Sequence, residues 1–527
     1  MYDNFLIAVS LANLLLIWEW LNAFYPEHHS FNIHSVPTDG ILGFALAGLL
    51  YFIFTFFLLK LAEDKKFATR SKLLYLVLFS LAMVPIIHFR NFSGWGYKYP
   101  GIFSPMQFAG DWGKANIVKI LFILGALCLL YWKFFRSIRI VLRTSLLFLF
   151  PFAILTWGKL LWEHQTHHSD KLNRLSQTSS GPNVKAKTIW ILYDALDYNY
   201  LFNIKETQKT FPEFERFRQS SFSFSHAIAP TPRTTYSMTS YFYNQTATDL
   251  NFIPLEASSG KFLELGDDKI DLKKLPHLYQ KAKNLGATTG IIGWHLPYCD
   301  FFKESLDFCI WFSPIQWPYA DTVGSNLVAT LSHTFFRKTR LKSLRRNIQE
   351  NTLKNILDLI NDNLPDLTLV HFPVPHFPGI SREDHTVYKS VDEQTVADYY
   401  NNVSIADGSL KQIREALEKR GLWDKVNILV TADHGFTYAP EPLKEKYGRD
   451  LYEVPFMVKL AESTPYQFEK PVPTLPLSTL LLGILDGTVS NKKTLLKWAE
   501  ANAAPNRETL IKKTNLAKHY ILNDQGD

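Results

Sequence analysis

The sequence predicts two structural classes in one chain. An N-terminal all-α bundle of five transmembrane helices precedes an α/β domain whose mostly parallel sheet is covered by helices on both faces. Three observations lead there. The first 162 residues hold five long apolar segments, and the remainder alternates as globular chains do. Later, short and nearly continuous apolar runs alternate with helical patterns, as in strands buried on both faces. Finally, two of those runs end in Asp, one of them as Asp-His-Gly (ILVTADHGF, 428–436).

The apolar segments lie at about 5–25, 41–62, 73–89, 115–132 and 144–162. Each is roughly long enough to cross a hydrocarbon core of ~30 Å. Lys and Arg set the orientation. Residues 63–72 (EDKKFATRSK) and 133–143 (KFFRSIRIVLR) carry four each, 26–40 carries none, and 90–114 carries three over a greater length. The positive-inside rule puts 63–72, 133–143 and the N-terminus in the cytoplasm, and everything after about 163 outside. The expected topology is a multi-pass membrane protein with its large domain outside the cytoplasm. The first segment lacks a charged n-region and an A-x-A-like cleavage site, so it reads as retained. Glu19 falls near the outer end of that segment, where a carboxylate is either functional or reaches the headgroups. The domains are then 1–162, transmembrane; 163–187, a juxtamembrane linker; and 188–527, the large α/β domain. The linker contains EHQTHHSD, with His164, His167 and His168, and a polar stretch with Gly-Pro.

Net charge is +7 over 527 residues, a mild excess, and part of it sits in two short loops. No nucleic-acid partner is expected from that. Three cysteines are too few for a disulfide scaffold or a cysteine-cluster zinc site. The sequence does not indicate an oligomeric state.

In the second half the strand candidates are KTIWILYDA (187–195), ATTGIIGWH (287–295), LTLVHFPVP (367–375) and VNILVTADH (426–434), with a clear helical stretch at 393–421. Ligands of parallel α/β sheets bind beyond the carboxyl ends of the strands. Asp194, Asp433, His434 and His376 all lie there. An Asp after a strand often caps the next helix, but an Asp-His pair with a second Asp in the same setting is a metal-ligating pattern. A nucleophile is sought in HAIAPTPRTTYSMTSYFYNQ (226–245). There Thr234 or Thr235 opens a helical run, where free N–H groups and the helix dipole favour an anion.

Together these residues resemble the alkaline phosphatase superfamily, which includes the sulfatases, and in particular the membrane-anchored sulfatase-like phosphoethanolamine and phosphoglycerol transferases. The resemblance implies a metal-dependent enzyme with one divalent ion, Zn²⁺ or Mn²⁺, held by Asp194, Thr234, Asp433 and His434. It implies Thr234 as the nucleophile, because the family places it three residues before a helix serine, here Ser237. It also implies a histidine against the transferred group: His376 in LVHFPVPHFPG, with His371 as second choice. Residues 437–456 contain no histidine, which argues against a full second metal site. The acid at 194 is Asp, where the nearest transferases have Glu. No C/S-x-P-x-R motif is present; the local text is APTPRTT, so a formylglycine sulfatase is not expected. The implied reaction takes a head group, phosphoethanolamine-like, from a membrane phospholipid donor through a phosphothreonine. The acceptor is an envelope glycan or lipid, and the implied location is a bacterial inner membrane, with the large domain in the periplasm. The competing expectation is a sulfatase-like hydrolase or phosphodiesterase with water as acceptor.

Two features remain. Cys299 and Cys309 flank CDFFKESLDFC and are expected to pair in an oxidising compartment. The run RKTRLKSLRR (337–346) has six basic residues and no acid. It reads either as a solvated helix face or as a basic amphipathic helix that meets anionic headgroups or a phosphorylated acceptor.

Overall fold

The computed structural model describes residues 2–17, 20, 38–63, 68–92, 130–166, 181–203, 210–245, 262–265, 268–271, 275–296, 298–312, 322–335, 337–381, 391–437, 452–461 and 465–513. The chain divides into two compact units. One comprises Met1–Ser169 and Ile315–Arg340, with Asp527, and the other Asp170–Pro314 and Leu341–Gly526.

The first unit is helical: α1 (Tyr2–Leu15), α2 (Thr38–Ala62), α3 (Ala68–Phe92), α4 (Phe135–Phe148) and α5 (Phe150–Thr166). Among the described residues, two stretches have the length and apolar composition to cross a membrane, Ile41–Ala62 and Phe135–Trp162. Two further apolar helices, Tyr2–Leu15 and Ser71–Met83, are shorter. The expected five-span bundle is therefore not recovered. The segment expected at 115–132 lies outside the described residues up to 129, as do Glu19, His167 and His168.

The expected basic loop at 133–143 is also corrected, because α4 runs through most of it. Its charges have partners that a loop reading does not foresee. Arg143 pairs with Glu63 and donates to Asn4 Oδ1 at 2.9 Å. Asn4 Nδ2 donates to Glu63 Oε2 at 2.5 Å. The start of α1, the residue after α2 and α4 thus meet at one end of the bundle. Beneath that polar cluster Ile7, Leu11, Leu59, Leu78 and Leu146 are buried together. Further along the bundle Trp20 packs edge-on against Phe44 and Trp157, at 4.7 and 5.1 Å.

A helix within the stretch assigned from sequence to the catalytic domain, Val323–Phe335, groups with this unit. Asn326, Thr330 and Thr334 are buried at four-residue spacing along it. Thr334 Oγ1 donates to Leu15 O at 3.4 Å. A Cβ added at Gly43 in α2 would stand 2.5 Å from Asn326 Cβ and 2.7 Å from Val323 O, so only glycine permits this approach.

The second unit is the expected α/β domain. Its strands are β1 (Lys187–Asp194), β2 (Phe222–Phe224), β3 (Thr289–Trp294), β4 (Phe308–Phe312), β5 (Leu367–Pro375), β6 (Val426–Ala432), β7 (Phe456–Lys459) and β8 (Tyr466–Phe468). They form one sheet in the order β8-β2-β7-β6-β1-β5-β3-β4. The five strands from β6 to β4 are mutually parallel, and β7 is antiparallel to its neighbours. All four strands expected from sequence are present and adjacent. The central ones are buried along nearly their whole length, which explains their unbroken apolar runs. Cys299 and Cys309 form a disulfide, with Cα atoms 5.6 Å apart, just after β3 and within β4.

Candidate active site

The adjacent strands β6, β1, β5 and β3 end at one edge of the sheet, and each delivers a polar side chain there. β1 ends in Asp194. A left-handed residue follows it, Ala195 at φ 64°, which turns the chain sharply. The Ala195 N–H donates to Asp433 Oδ1 at 3.0 Å, so the turn after β1 holds the carboxylate after β6. The His434 N–H donates to the same oxygen at 3.0 Å. Beyond β5, the His376 N–H donates to Asp194 O at 3.0 Å. These bonds join the segments that follow β1, β5 and β6, so the strand ends fix the site's geometry.

The side chains then converge. His434 Nε2 lies 3.6 Å from Asp194 Oδ1 and 3.5 Å from Asp433 Oδ2. His371 Nε2 lies 4.0 Å from Asp194 Oδ2. Two sets of donor atoms fall within 4.8 Å of one another: Asp194, His376 and His434, and Asp194, His371 and Asp433. Both Asp194 oxygens, Asp433 Oδ2 and His371 Nε2 are buried without a hydrogen-bond partner. Burial, with the charge of Asp433 beside it, pushes the Asp194 carboxyl well above its ordinary range, against the pull of Arg345. Buried, unsatisfied carboxylate oxygens facing imidazole nitrogens are a costly arrangement unless a cation joins them. The residues fit a divalent ion.

The histidines are oriented for this from behind. His434 Nδ1 lies 2.7 Å from Gly435 O and His376 Nδ1 2.6 Å from Phe377 O. A carbonyl only accepts, so each Nδ1 carries the proton, and a neutral ring then offers the Nε2 lone pair to the site. His371 Nδ1 pairs with the Tyr298 hydroxyl at 2.6 Å. Tyr298 reaches it by passing over Gly293, where a Cβ would stand 2.6 Å from the phenol ring. Burial pushes the imidazoles of His371 and His376 well below their ordinary range.

The helix α6 (Thr234–Tyr243) brings the hydroxyls. Ser237 fixes the approach to it, since its Oγ donates to Thr231 O at 2.9 Å. Thr234 is buried at the helix N-terminus with Oγ1 3.3 Å from His434 Nε2. Thr235 Oγ1 instead meets His295 Nε2 at 3.1 Å. Of the two threonines left open by the local pattern, Thr234 is the one beside the convergent carboxylates and imidazoles.

Three residues here were not anticipated: His295, Tyr298 and Arg345. His295 follows β3 at φ 75°, and burial, then Arg345 and His434, bring its imidazole down to about 3. Its position after a strand was a readable signal, the same one that marks His376.

A sulfatase family model matches residues 186–480, more than half of the chain. The chain belongs to the sulfatase family. The domain of this sulfatase-family protein has the fold of the alkaline phosphatase superfamily, and it is an enzyme of sulfatase-like type. Similar solved structures include a phosphonate monoester hydrolase of Agrobacterium radiobacter, at 12% identity over 57% of this chain and 77% of that one, with a TM-score of 0.38. Another is a protein in the alkaline phosphatase superfamily from Vibrio parahaemolyticus, at 16% identity over 60% and 71%, with a TM-score of 0.36. A third is the lipoteichoic acid synthase LtaP from Listeria monocytogenes, at 14% identity over 60% and 77%, with a TM-score of 0.39. No curated protein sequence matches.

Proposed function

We propose that this sulfatase-family enzyme is a membrane-bound, metal-dependent transferase. It moves a phospholipid head group, phosphoethanolamine-like, through a phosphothreonine on Thr234 to an envelope lipid or glycan. The observation that carries the reading is the position of Thr234: a buried hydroxyl at a helix N-terminus, 3.3 Å from His434 Nε2 and beside unsatisfied carboxylates. A hydroxyl there replaces the formylglycine precursor that the sequence lacks.

Asp194, Asp433 and His434, with His371 and His376 in reach, would hold one Zn²⁺ or Mn²⁺. Such an ion supplies Lewis-acid charge and favours ionisation of a neighbouring hydroxyl. The Thr234 oxygen attacks phosphorus and the bond to the diacylglycerol oxygen breaks. In net terms the threonine proton passes to that oxygen. The N–H groups that open α6 meet the charge on the phosphoryl oxygens. In the second step an acceptor hydroxyl attacks phosphorus, and the Thr234 oxygen leaves with the acceptor's proton. His376 contacts the transferred group. Two long apolar helices support a membrane location, so the donor lipid need not leave the bilayer. We assign the α/β unit to the periplasmic side, which an active phosphatase reporter fused at the C-terminus would support and a reporter active only in the cytoplasm would refute.

Membership of the sulfatase family favours one competing reading, in which water takes the acceptor's place and the enzyme is a hydrolase. Intact-mass measurement after incubation with phospholipids separates the two. A head-group phosphate adduct on Thr234 that moves to an added glycan or lipid supports transfer. Rapid discharge to water with no acceptor product supports hydrolysis. Full turnover in Thr234→Ala would sink both.

A further inference from the structure

The basic run at 337–346 lies on the helix α7 (Arg337–Asn361), and its last two arginines serve the interior of the domain rather than a solvated face. Arg346 donates from Nε and Nη2 to Ile380 O, at 2.8 and 2.6 Å, and from Nη2 to Ser381 O at 3.2 Å. This ties the helix to the loop that follows His376. Arg345 lies over the indole of Trp294, with its Cζ 3.9 Å from the ring centroid. Trp294 is the last residue of β3, and its ring is 6.0 Å from that of His371, 6.2 Å from His376 and 5.3 Å from His295. Trp294 thus connects Arg345 to the histidines of the site, and the guanidinium is near enough for its charge to act on Asp194, His295, His371 and His376 alike.

A guanidinium over an indole gains cation–π attraction, and its planar fork of donors is suited to bidentate bonds to oxygen. The charge balance makes such a donor useful. Asp194 and Asp433 bring two negative charges, which one divalent ion offsets. A phosphodiester or sulfate ester then arrives with a further negative charge.

We propose that Arg345, held against Trp294, is the residue that binds the non-bridging oxygens of the tetrahedral phosphate or sulfate group in this site. The inference rests on the reading that the site takes such a group, and it adds a specific guanidinium outside the metal-ligating set. Trp294 acts as a positioning residue, and Arg346 anchors the helix that carries Arg345.

The test uses the full-length, metal-loaded protein in detergent. Inorganic phosphate and inorganic sulfate are titrated separately by calorimetry, and metal content is measured in parallel. Arg345→Ala should retain the metal and weaken binding of the preferred anion by about tenfold to a hundredfold, the range for charge-assisted hydrogen bonds to one residue. Millimolar guanidinium should restore part of it. Arg345→Lys, with its charge but without the planar fork, should fall between. In turnover assays the loss should appear mainly in KM. Wild-type anion binding in Arg345→Ala would overturn the assignment and leave the proposed function standing. Loss of metal from Arg345→Ala would show instead that the arginine stabilises the ligand set. A wild-type protein that binds neither anion would overturn both readings. Should Arg345→Ala not fold, Arg345→Lys carries the test: weakened anion binding supports the proposal, and unchanged binding refutes it.

Discussion

The two units treat apolar and polar side chains in opposite ways. In the helical unit many large apolar residues face outward: Leu49, Ile53 and Phe57 on α2, and Ile140, Phe152 and Leu155 on α4 and α5, are each half or more exposed. Its buried polar groups, Asn326, Thr330 and Thr334, sit where helices meet. Among the described residues of the α/β unit, the exposed large apolar side chains are Phe377 and Tyr466. Its buried Asp194, Asp433 and His371 gather at one sheet edge, and each keeps at least one polar atom without a hydrogen-bond partner. In lipid an outward leucine costs nothing, and close packing with small or polar residues holds helices together. In water the same leucine is better buried, and a buried carboxylate is costly unless hydrogen bonds, a counter-charge or an ion offset its desolvation. The contrast supports the membrane location proposed for the first unit and the chemistry proposed for the second.

If this contrast is sound, changes in one unit should leave the other's property untouched. The largest effect is expected from Thr234→Ala, which should lower turnover by at least about a thousandfold, as loss of a nucleophile does, with thermal stability unchanged. Thr235→Ala is its control. Equal losses in both variants would mean that α6, and not one hydroxyl, is the requirement. Next, Asp433→Asn should lower bound metal from about one equivalent to near zero by elemental analysis, because a neutral amide replaces a ligand beside Asp194. Metal retained at full occupancy would break the assignment of the unsatisfied oxygens.

Smaller effects concern stability. Reducing the Cys299–Cys309 bridge should cost roughly 2–3 kcal/mol, the loop-closure value for about ten residues, and should act on the α/β unit alone. Free alkylation of both cysteines without reductant would refute the pairing. Gly43→Val should cost about 1–3 kcal/mol in the helical unit, because its Cβ meets backbone at 2.7 Å, while metal content stays unchanged. The smallest effect concerns pH. Burial lowers His277 to about 4, against about 6.5 when unfolded, with Lys281 contributing. Between those values the unfolded chain binds the extra proton. Stability is therefore fully present above pH 6.5 and declines as the pH falls towards 4. His277→Gln should flatten that decline in a denaturant series, and an unchanged slope would show that other groups set it.

Much of the catalytic unit was legible because parallel strands write their burial into sequence as unbroken apolar runs. Asp194, Asp433, His434 and His376 stood out as polar groups closing such runs. The local pattern left Thr234 as one of two threonines, and only the family resemblance, through the spacing to Ser237, favoured it. In the structure it is the one that meets His434. Arg345 was hidden for a physical reason: on its own helix it looks like any solvated arginine, and its partner Trp294 lies far away in sequence on another element. Tyr298 was hidden likewise, since its role comes from the gap that Gly293 leaves. The bundle was read less well. Basic residues at 133–143 suggested a loop, yet Arg143 is held by Glu63 and Asn4 and the helix continues through them. The helix Val323–Phe335 carries a visible polar stripe, but thirteen residues are too few to announce a span.

That returning helix bears on any attempt to handle the enzyme in pieces. The chain crosses between its two units at 169–170, at 314–315 and again at 340–341. A single protease nick near the first crossing therefore leaves the fragments joined by their packing, as a garment with one seam cut still hangs together. An expression fragment beginning at 188 keeps Val323–Phe335 but discards Gly43 and Leu15, against which it is seated. Its Asn326, Thr330 and Thr334 would lose their neighbours, and the fragment would carry an adhesive helix into solution. Excising 315–340 along with the N-terminal helices, and closing the gap with a short flexible linker, is the cut that follows the protein's own division.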